Sequence, residues 1–196
     1  MEIIEDSAVK KNFLKSATYD IAVIALISAL LIAGKFVLQF IPNVEIVSSL
    51  IIIFTCTLGI KRTLPAVLIF CLLDNLLYPF FFLVTIQYFI HFPLLCVLSK
   101  LIIRNNKPNL KYNIIFVLFI GLMALAFWIE TPIINELFGF TKFMPTMIAG
   151  IPFMVPMLIS NIAVLAILYL PLCKAVKRVG NRIGSKEKTE PKQIVD

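Results

Sequence analysis

Long apolar runs without a charged residue dominate this chain. The stretches 21–34, 46–60, 75–90, 112–129 and 143–173 contain no Asp, Glu, Lys or Arg. A helix that crosses a bilayer needs about 20 mostly apolar residues. The period-two alternation of a membrane β-barrel strand is missing from these runs. Because the bilayer core offers no water to unpaired backbone groups, the pattern predicts membrane-spanning helices.

The runs predict an all-α integral membrane protein, a bundle of six transmembrane helices. We place the spans at 21–40, 46–60, 64–82, 83–103, 112–130 and 143–173. Only a tight turn near 78–84 separates the third span from the fourth, so hydropathy alone also allows five spans. Four prolines interrupt the last span, and we expect loop or kinked helix within 144–156 because proline removes a backbone donor.

The distribution of basic residues favours six spans over five. With six spans and a cytoplasmic N-terminus, all of the 18 Lys and Arg residues except Lys35 and Lys142 fall in cytoplasmic segments. Positive residues near span ends stay in the cytoplasm, so we predict that both termini are cytoplasmic. The net charge of +7 then reflects orientation and attraction to anionic lipid, and no nucleic-acid partner is predicted.

Composition supports the same class. The chain is 60% hydrophobic and 15% charged, whereas soluble domains are about 25% charged. Its first residues are charged and have no apolar core, which is unlike a cleavable signal peptide. We therefore divide the chain into a cytoplasmic N-terminal segment (1–18), a six-helix membrane domain (19–178) and a flexible cytoplasmic tail (179–196).

Catalytic chemistry is not indicated by the sequence. The four cysteines lie within or at the end of predicted spans, with no C-x-x-C pair and no His/Cys ligand cluster, so we interpret them as apolar packing residues and predict no metal. A phosphate-binding G-x-x-x-x-G-K-[ST] loop is missing as well. We predict no cofactor and no enzymatic activity.

Ionisable residues inside predicted spans are the main functional candidates, because each costs about 2.5–3.5 kcal/mol to insert. Lys35 either extends to the outer surface or pairs with Asp74, and Asp74 either makes that pair or binds an amine or amide of a ligand. His91 is either a packed, hydrogen-bonded residue or a ligand contact. Glu130 lies near the outer end of the fifth span.

Polar residues cluster in the predicted outer half of the spans. The set consists of Lys35, Asn43, Glu45, Asp74, Tyr78, Gln87, Tyr88, His91, Trp128 and Glu130. Trp128 is either an interfacial belt residue or a stacking wall for a planar ligand. We place further binding residues at Phe153, Met154 and Met157, with simple kinking of the last span as the alternative. A polar pocket open only to the outside suits a capture protein and does not suit a continuous pore.

Several motifs resemble the substrate-binding S components of energy-coupling factor (ECF) vitamin importers, over 21–178. They are A-L-I-S-A at 25–29, A-G-K at 33–35, I-P-N-V-E at 41–45, L-G-I-K-R at 58–62, H-F-P-L-L at 91–95, A-G-I-P-F at 149–153 and S-N at 160–161. The order and spacing are similar to a group of S components with some cobalamin-linked members. The chain departs from that group at Phe92, Met154 and Met157. Because these are pocket positions in the family, the resemblance does not identify the vitamin.

The resemblance implies a six-helix subunit of the prokaryotic cytoplasmic membrane that captures a vitamin-type small molecule from outside. It implies two kinds of partner, a transmembrane coupling subunit and two ATPase subunits. In this family the small residues of the first helix form the docking face for the coupling subunit, here Ala25, Ala29 and Ala33.

Two other functions remain open at this stage. A stand-alone carrier coupled to protons would use Asp74, His91 or Glu130 as a relay. An integral membrane enzyme acting on lipid would need a carboxylate cluster, a metal-ligand pair or a Ser/His couple at the interface, and the sequence shows none of these.

Overall fold

The computed structural model describes residues 2–41, 44–77, 82–103 and 110–189, with side chains described from 17 to 178 within these ranges. The described residues form six helices and no strand. They are α1 (Glu2–Leu38), α2 (Val47–Leu58), α3 (Ile60–Leu77), α4 (Phe82–Ile102), α5 (Leu110–Leu137) and α6 (Phe143–Thr189). The predicted all-α class is confirmed.

Four helical stretches are long and apolar enough to cross a membrane. They are Ala17–Leu38, Phe82–Ile102, Leu110–Leu137 and Phe143–Arg178. Each has at least 21 residues and therefore extends over about 30 Å or more. Many large apolar side chains of these helices are exposed, including Leu26, Leu118 and Ile167. Such an exposed apolar surface is compatible with a multi-pass protein whose solvent is lipid.

The short helix α2 lies at the centre of the bundle. It has 12 residues, of which 10 are buried, and it contacts all five other helices. Its residues are as apolar as those of a membrane span, but the helix extends over only about 18 Å. Because its neighbours surround it, α2 is shielded from lipid and does not have to match the thickness of a bilayer.

The break between α2 and α3 is a single residue, Gly59. Its φ of 84° lies in the left-handed region, which glycine adopts without the steric cost of a Cβ. Helix α3 therefore begins at Ile60, four residues before the predicted start of the third span. The other boundaries differ mainly at the chain ends, since α1 already begins at Glu2 and α6 continues as helix to Thr189.

Of the two alternatives expected within 144–156, loop or kinked helix, the loop is wrong, because α6 is helical throughout that stretch. Pro152 and Pro156 lie inside the helix. Each proline lacks the donor for the carbonyl four residues earlier, and tertiary neighbours often compensate for that loss in membrane helices. Helix α5 packs along α6 over the most extensive interhelical contact in the described part of the chain.

Close packing between α5 and α6 is centred on Gly150. A Cβ at this position would lie 2.8 Å from Nε1 and 3.1 Å from Cδ1 of Trp128. At Gly121, by contrast, a Cβ would meet Ile162 and Leu158 at 3.4 Å or more, which is ordinary van der Waals contact. The indole of Trp128 therefore requires glycine opposite it.

We predict that Gly150→Ala destabilises the protein by about 1–2 kcal/mol, because overpacking against a rigid indole outweighs the gain in helix propensity. The matched control is Gly121→Ala, which should be neutral or stabilising because its Cβ has room. Thermal unfolding of the purified variants in detergent measures both. Equal unfolding temperatures for the two variants would contradict the α5–α6 packing described above.

Candidate functional site

A partly open cavity lies at the end of the bundle where α1 connects to α2. Its volume is about 230 Å³, and we call it the main cavity. Helices α1, α4, α5 and α6 and the α1–α2 connection all contribute to its wall. The lining residues are Gly34, Lys35, Leu38, Gln39, Ile41, Val44, Glu45, Ile46, Tyr88, Phe127 and Met157.

A smaller space, which we call the recess, adjoins the main cavity. Its volume is about 10 Å³, roughly enough for one water-sized group. The main cavity and the recess share three lining residues, Glu45, Phe127 and Met157. The recess is otherwise lined by Ser48, His91, Ile120, Met123, Ala124 and Asn161.

An ion pair fixes the wall between α1 and α3. Nζ of Lys35 donates to Oδ1 of Asp74 at 2.5 Å, and the same Nζ lies 4.7 Å from the ring centroid of Tyr88 on α4. The Asp74 side chain is 5% exposed and that of Lys35 is 23% exposed. The sequence left open whether these residues pair, and the structure contains the pair. A second, more open groove of about 550 Å³ lies next to the Lys35–Asp74 pair. It is lined by both of these residues and also by Gln39 and Thr85.

Glu45 lies in the α1–α2 connection, directly before α2. Its described hydrogen bond is a long one, 3.4 Å from Ser48 Oγ to Glu45 Oε2. Burial raises the pKa of the Glu45 carboxyl, and the nearby Lys35 and His91 only partly oppose this effect. This carboxylate is therefore the least compensated acidic group of the main cavity and the recess.

His91 and Gln87 connect α4 to α5. Nδ1 of His91 lies 3.1 Å from Oε2 of Glu130, and the imidazole packs edge-on against Phe127 with the ring centroids 5.0 Å apart. Gln87 donates through Nε2 to the backbone oxygen of Phe127 at 2.7 Å and to the hydroxyl of Thr131 at 3.0 Å. These bonds hold Phe127 in the wall of both the main cavity and the recess.

The predicted site residues divide into two groups. Lys35, Glu45 and Met157 line the main cavity, His91 lines the recess, and Asp74 lines the neighbouring groove. The remaining described residues do not line these spaces. Gln87 is hydrogen-bonded to α5, and Trp128 packs against Gly150. Phe153 is 58% exposed, and Met154 is half-buried. Asn43 and Tyr78 lie outside the described residues.

Several lining residues were not among the predicted binding residues, including Gln39, Phe127 and Asn161. Asn161 is 2% exposed, and its Oδ1 has no hydrogen-bond partner in the described part of the chain. The sequence analysis used Asn161 only as part of the S-N motif, although a neutral amide inside a 31-residue uncharged run was a usable signal. Phe127 gave no signal, because one phenylalanine among 17 is indistinguishable from a lipid-facing residue.

Two further features bear on partners. Ala25, Ala29 and Ala33 are all exposed on α1, so the small-residue motif faces outward from the bundle. No group of three or more His, Cys, Asp or Glu residues within the described side chains is arranged to hold a metal ion.

We predict that Lys35→Met lowers the free energy of unfolding by about 3 kcal/mol, because it leaves the buried Asp74 carboxylate unpaired. The double variant Lys35→Met/Asp74→Leu should recover most of that loss, since both charges are removed. Thermal and denaturant unfolding in detergent give the comparison.

The control for that pair is Arg62→Met, which breaks the more exposed ion pair of Arg62 with Asp20. It should cost at most about 1 kcal/mol. A double variant as unstable as the sum of Lys35→Met and Asp74→Leu would show that the two residues do not interact.

Comparisons of the chain with models of known protein families, with curated proteins and with solved structures found no match.

Proposed function

We propose that this protein is the substrate-binding S component of an ATP-driven ECF importer. In this role it captures a vitamin or vitamin-like small molecule from outside the cell and delivers it with a coupling subunit and two ATPase subunits. The observation that carries the proposal is the main cavity, which is partly open and lined by four helices and a connection. A site formed by many elements at one end of a bundle is typical of ligand capture.

The cavity fits a small, partly apolar molecule. Tyr88, Phe127 and Met157 offer apolar and aromatic surface, while Lys35 and Glu45 offer charge. Such a combination of apolar walls and few polar groups is usual for organic ligands. The main cavity has a volume of about 230 Å³, and the neighbouring groove of about 550 Å³ shares Lys35, Gln39 and Tyr88 with it.

The surface of α1 supports docking of the coupling subunit. Ala25, Ala29 and Ala33 form an exposed stripe of small side chains on one helix. Small residues spaced four apart allow another helix to approach closely in a bilayer. In the proposed complex this stripe meets a helix of the coupling subunit, and ATP is used by the partners rather than by this chain.

The proposed topology has six spans in a prokaryotic cytoplasmic membrane, with both termini in the cytoplasm. Exposed Lys61 and Lys142 then lie on opposite sides of the membrane, and the four native cysteines are buried. We predict that an impermeant maleimide added to intact cells labels Lys142→Cys and does not label Lys61→Cys until the membrane is opened. Labelling of both variants from outside, or only of Lys61→Cys, would contradict this topology.

We predict that the purified chain binds a water-soluble vitamin without any partner. Thermal shift and mass spectrometry of co-purified ligand should be run against thiamine, riboflavin, pyridoxine, niacin, biotin, pantothenate, folate and cobalamin. Met157→Trp, which fills the main cavity, should weaken binding at least tenfold. Ile159→Trp is the matched control, because Ile159 lies on the same helix and is 62% exposed.

The energy source separates the proposal from a proton-coupled carrier. Proteoliposomes holding the chain alone should not accumulate the bound vitamin under a pH gradient, and uptake should require the coupling subunit, the ATPases and ATP. Uptake by the lone chain driven by the pH gradient would replace the proposal with the carrier. Absence of binding to every vitamin tested would contradict the capture function itself.

A further inference from the structure

One unsatisfied and one weakly bonded hydrogen-bond acceptor line the recess. Oδ1 of the 2% exposed Asn161 has no partner among the described residues, and the half-buried Glu45 accepts only the long bond from Ser48. Leaving a buried acceptor without a hydrogen bond is unfavourable. A group that enters the recess with N–H donors would remove this cost at Asn161 and give Glu45 a stronger bond.

The other charged groups around the recess are already paired. Lys35 is bonded to Asp74, and His91 is bonded through Nδ1 to Glu130. If His91 is neutral, the four groups together carry one negative charge, and if it is protonated they carry none. In either state an ionised Glu45 adds a further negative charge, and because burial raises the pKa of this carboxyl, a cation in the recess would favour its ionised form.

The N-terminus of α2 opposes this negative charge only in part. Helix α2 begins at Val47, two residues after Glu45. A helix N-terminus is equivalent to roughly half a positive charge. That field is smaller than the full negative charge of the carboxylate, so the recess remains favourable for a cation.

The size of the recess agrees with a positively charged nitrogen. The recess, of about 10 Å³, is roughly the size of one water-sized group, such as an ammonium or a protonated amine. Glu45, Phe127 and Met157 line both spaces, so a ligand nitrogen in the recess would lie next to a ligand body in the main cavity. Phe127 is also an aromatic residue, a type that attracts cations placed over the face of its ring.

We propose that the substrate carries a protonated nitrogen with at least one N–H donor, and that this nitrogen binds in the recess between the Glu45 carboxylate and Oδ1 of Asn161. The body of the substrate, a compact apolar or heteroaromatic group, occupies the main cavity. This inference rests on the proposed capture function and narrows its substrate to organic cations.

Matched ligands test the charge directly. The first set is pyridoxamine, pyridoxine and 4-pyridoxate, and the second is tryptamine, tryptophol and indole-3-acetate, in each case an amine, an alcohol and a carboxylate on one ring system. Binding to the chain in nanodiscs at pH 7 is measured by isothermal calorimetry. We expect the amine of at least one set to bind at least tenfold more tightly than its alcohol, and the carboxylate to bind most weakly.

Variants test the two acceptors. Glu45→Gln should reduce the preference for the amine over the alcohol to threefold or less. Asn161→Leu should weaken binding of the amine about tenfold. Glu136→Gln is the matched control, because Glu136 is exposed on α5 and lines neither the main cavity nor the recess. It should leave the preference unchanged.

The comparison in the wild-type chain does not depend on how the variants fold. The proposal is overturned if the amine binds no more tightly than the alcohol, if the carboxylate binds best, or if the preference survives Glu45→Gln. It is also overturned if no member of either set binds. Tight binding of a neutral or anionic vitamin in the screen above would support the capture function and refute only the inference that the substrate is a cation.

Discussion

The burial of the short helix α2 is the constraint on which the rest of the structure depends. Its neighbours extend over about 30 Å and α2 over about 18 Å, so α2 cannot reach both ends of the bundle. The space that α2 does not fill lies at its N-terminal end, where Glu45 and Ile46 line the main cavity. The space beyond its end is lined by residues of α1, α4, α5 and α6, helices that also contact α2. A polar pocket can persist there at a cost that lipid exposure would not allow.

Pairing between helices offsets the cost of two pairs of ionisable groups and leaves Glu45 outside any ion pair among the described residues. Lys35 on α1 bonds Asp74 on α3, and His91 on α4 bonds Glu130 on α5. These two pairs link neighbouring helices and are explained by the fold. Glu45 has no such partner among the described residues, and a bound ligand would supply one. The exception to the pairing rule is therefore more informative about function than the pairs themselves.

The sequence predicted the helices well because a bilayer imposes one requirement, a long apolar helix, on every span. It left loop and kinked helix open at 144–156, since the structure of a proline-rich stretch depends on its packing against a neighbour, here α5. Lys35 and His91 could be predicted as lining residues because charged and titratable groups are rare and costly in spans, whereas Glu45, between two spans, was predicted from the cluster of polar residues in the outer half. Phe127 was not, because its role follows from contacts with Gln87 and His91 on another helix. Tertiary contacts of that kind leave no periodic trace in the sequence.

The bonding of buried polar groups farther along the bundle supports capture over conduction. Thr55 donates to the backbone oxygen of Ile51 at 2.7 Å, and Ser99 donates to that of Leu95 at 2.6 Å. Both hydroxyl hydrogens are thereby used within their own helices, next to fully buried apolar residues of α2 and α4. A proton relay needs groups that exchange partners along a continuous path. Among the described residues, the Thr55 hydroxyl has one contact outside its own helix, 3.3 Å to Sγ of Cys96 on α4, and the Ser99 hydroxyl bonds only within α4. In the capture function proposed above, onward delivery of the ligand would therefore involve a movement of the whole subunit or of its partners.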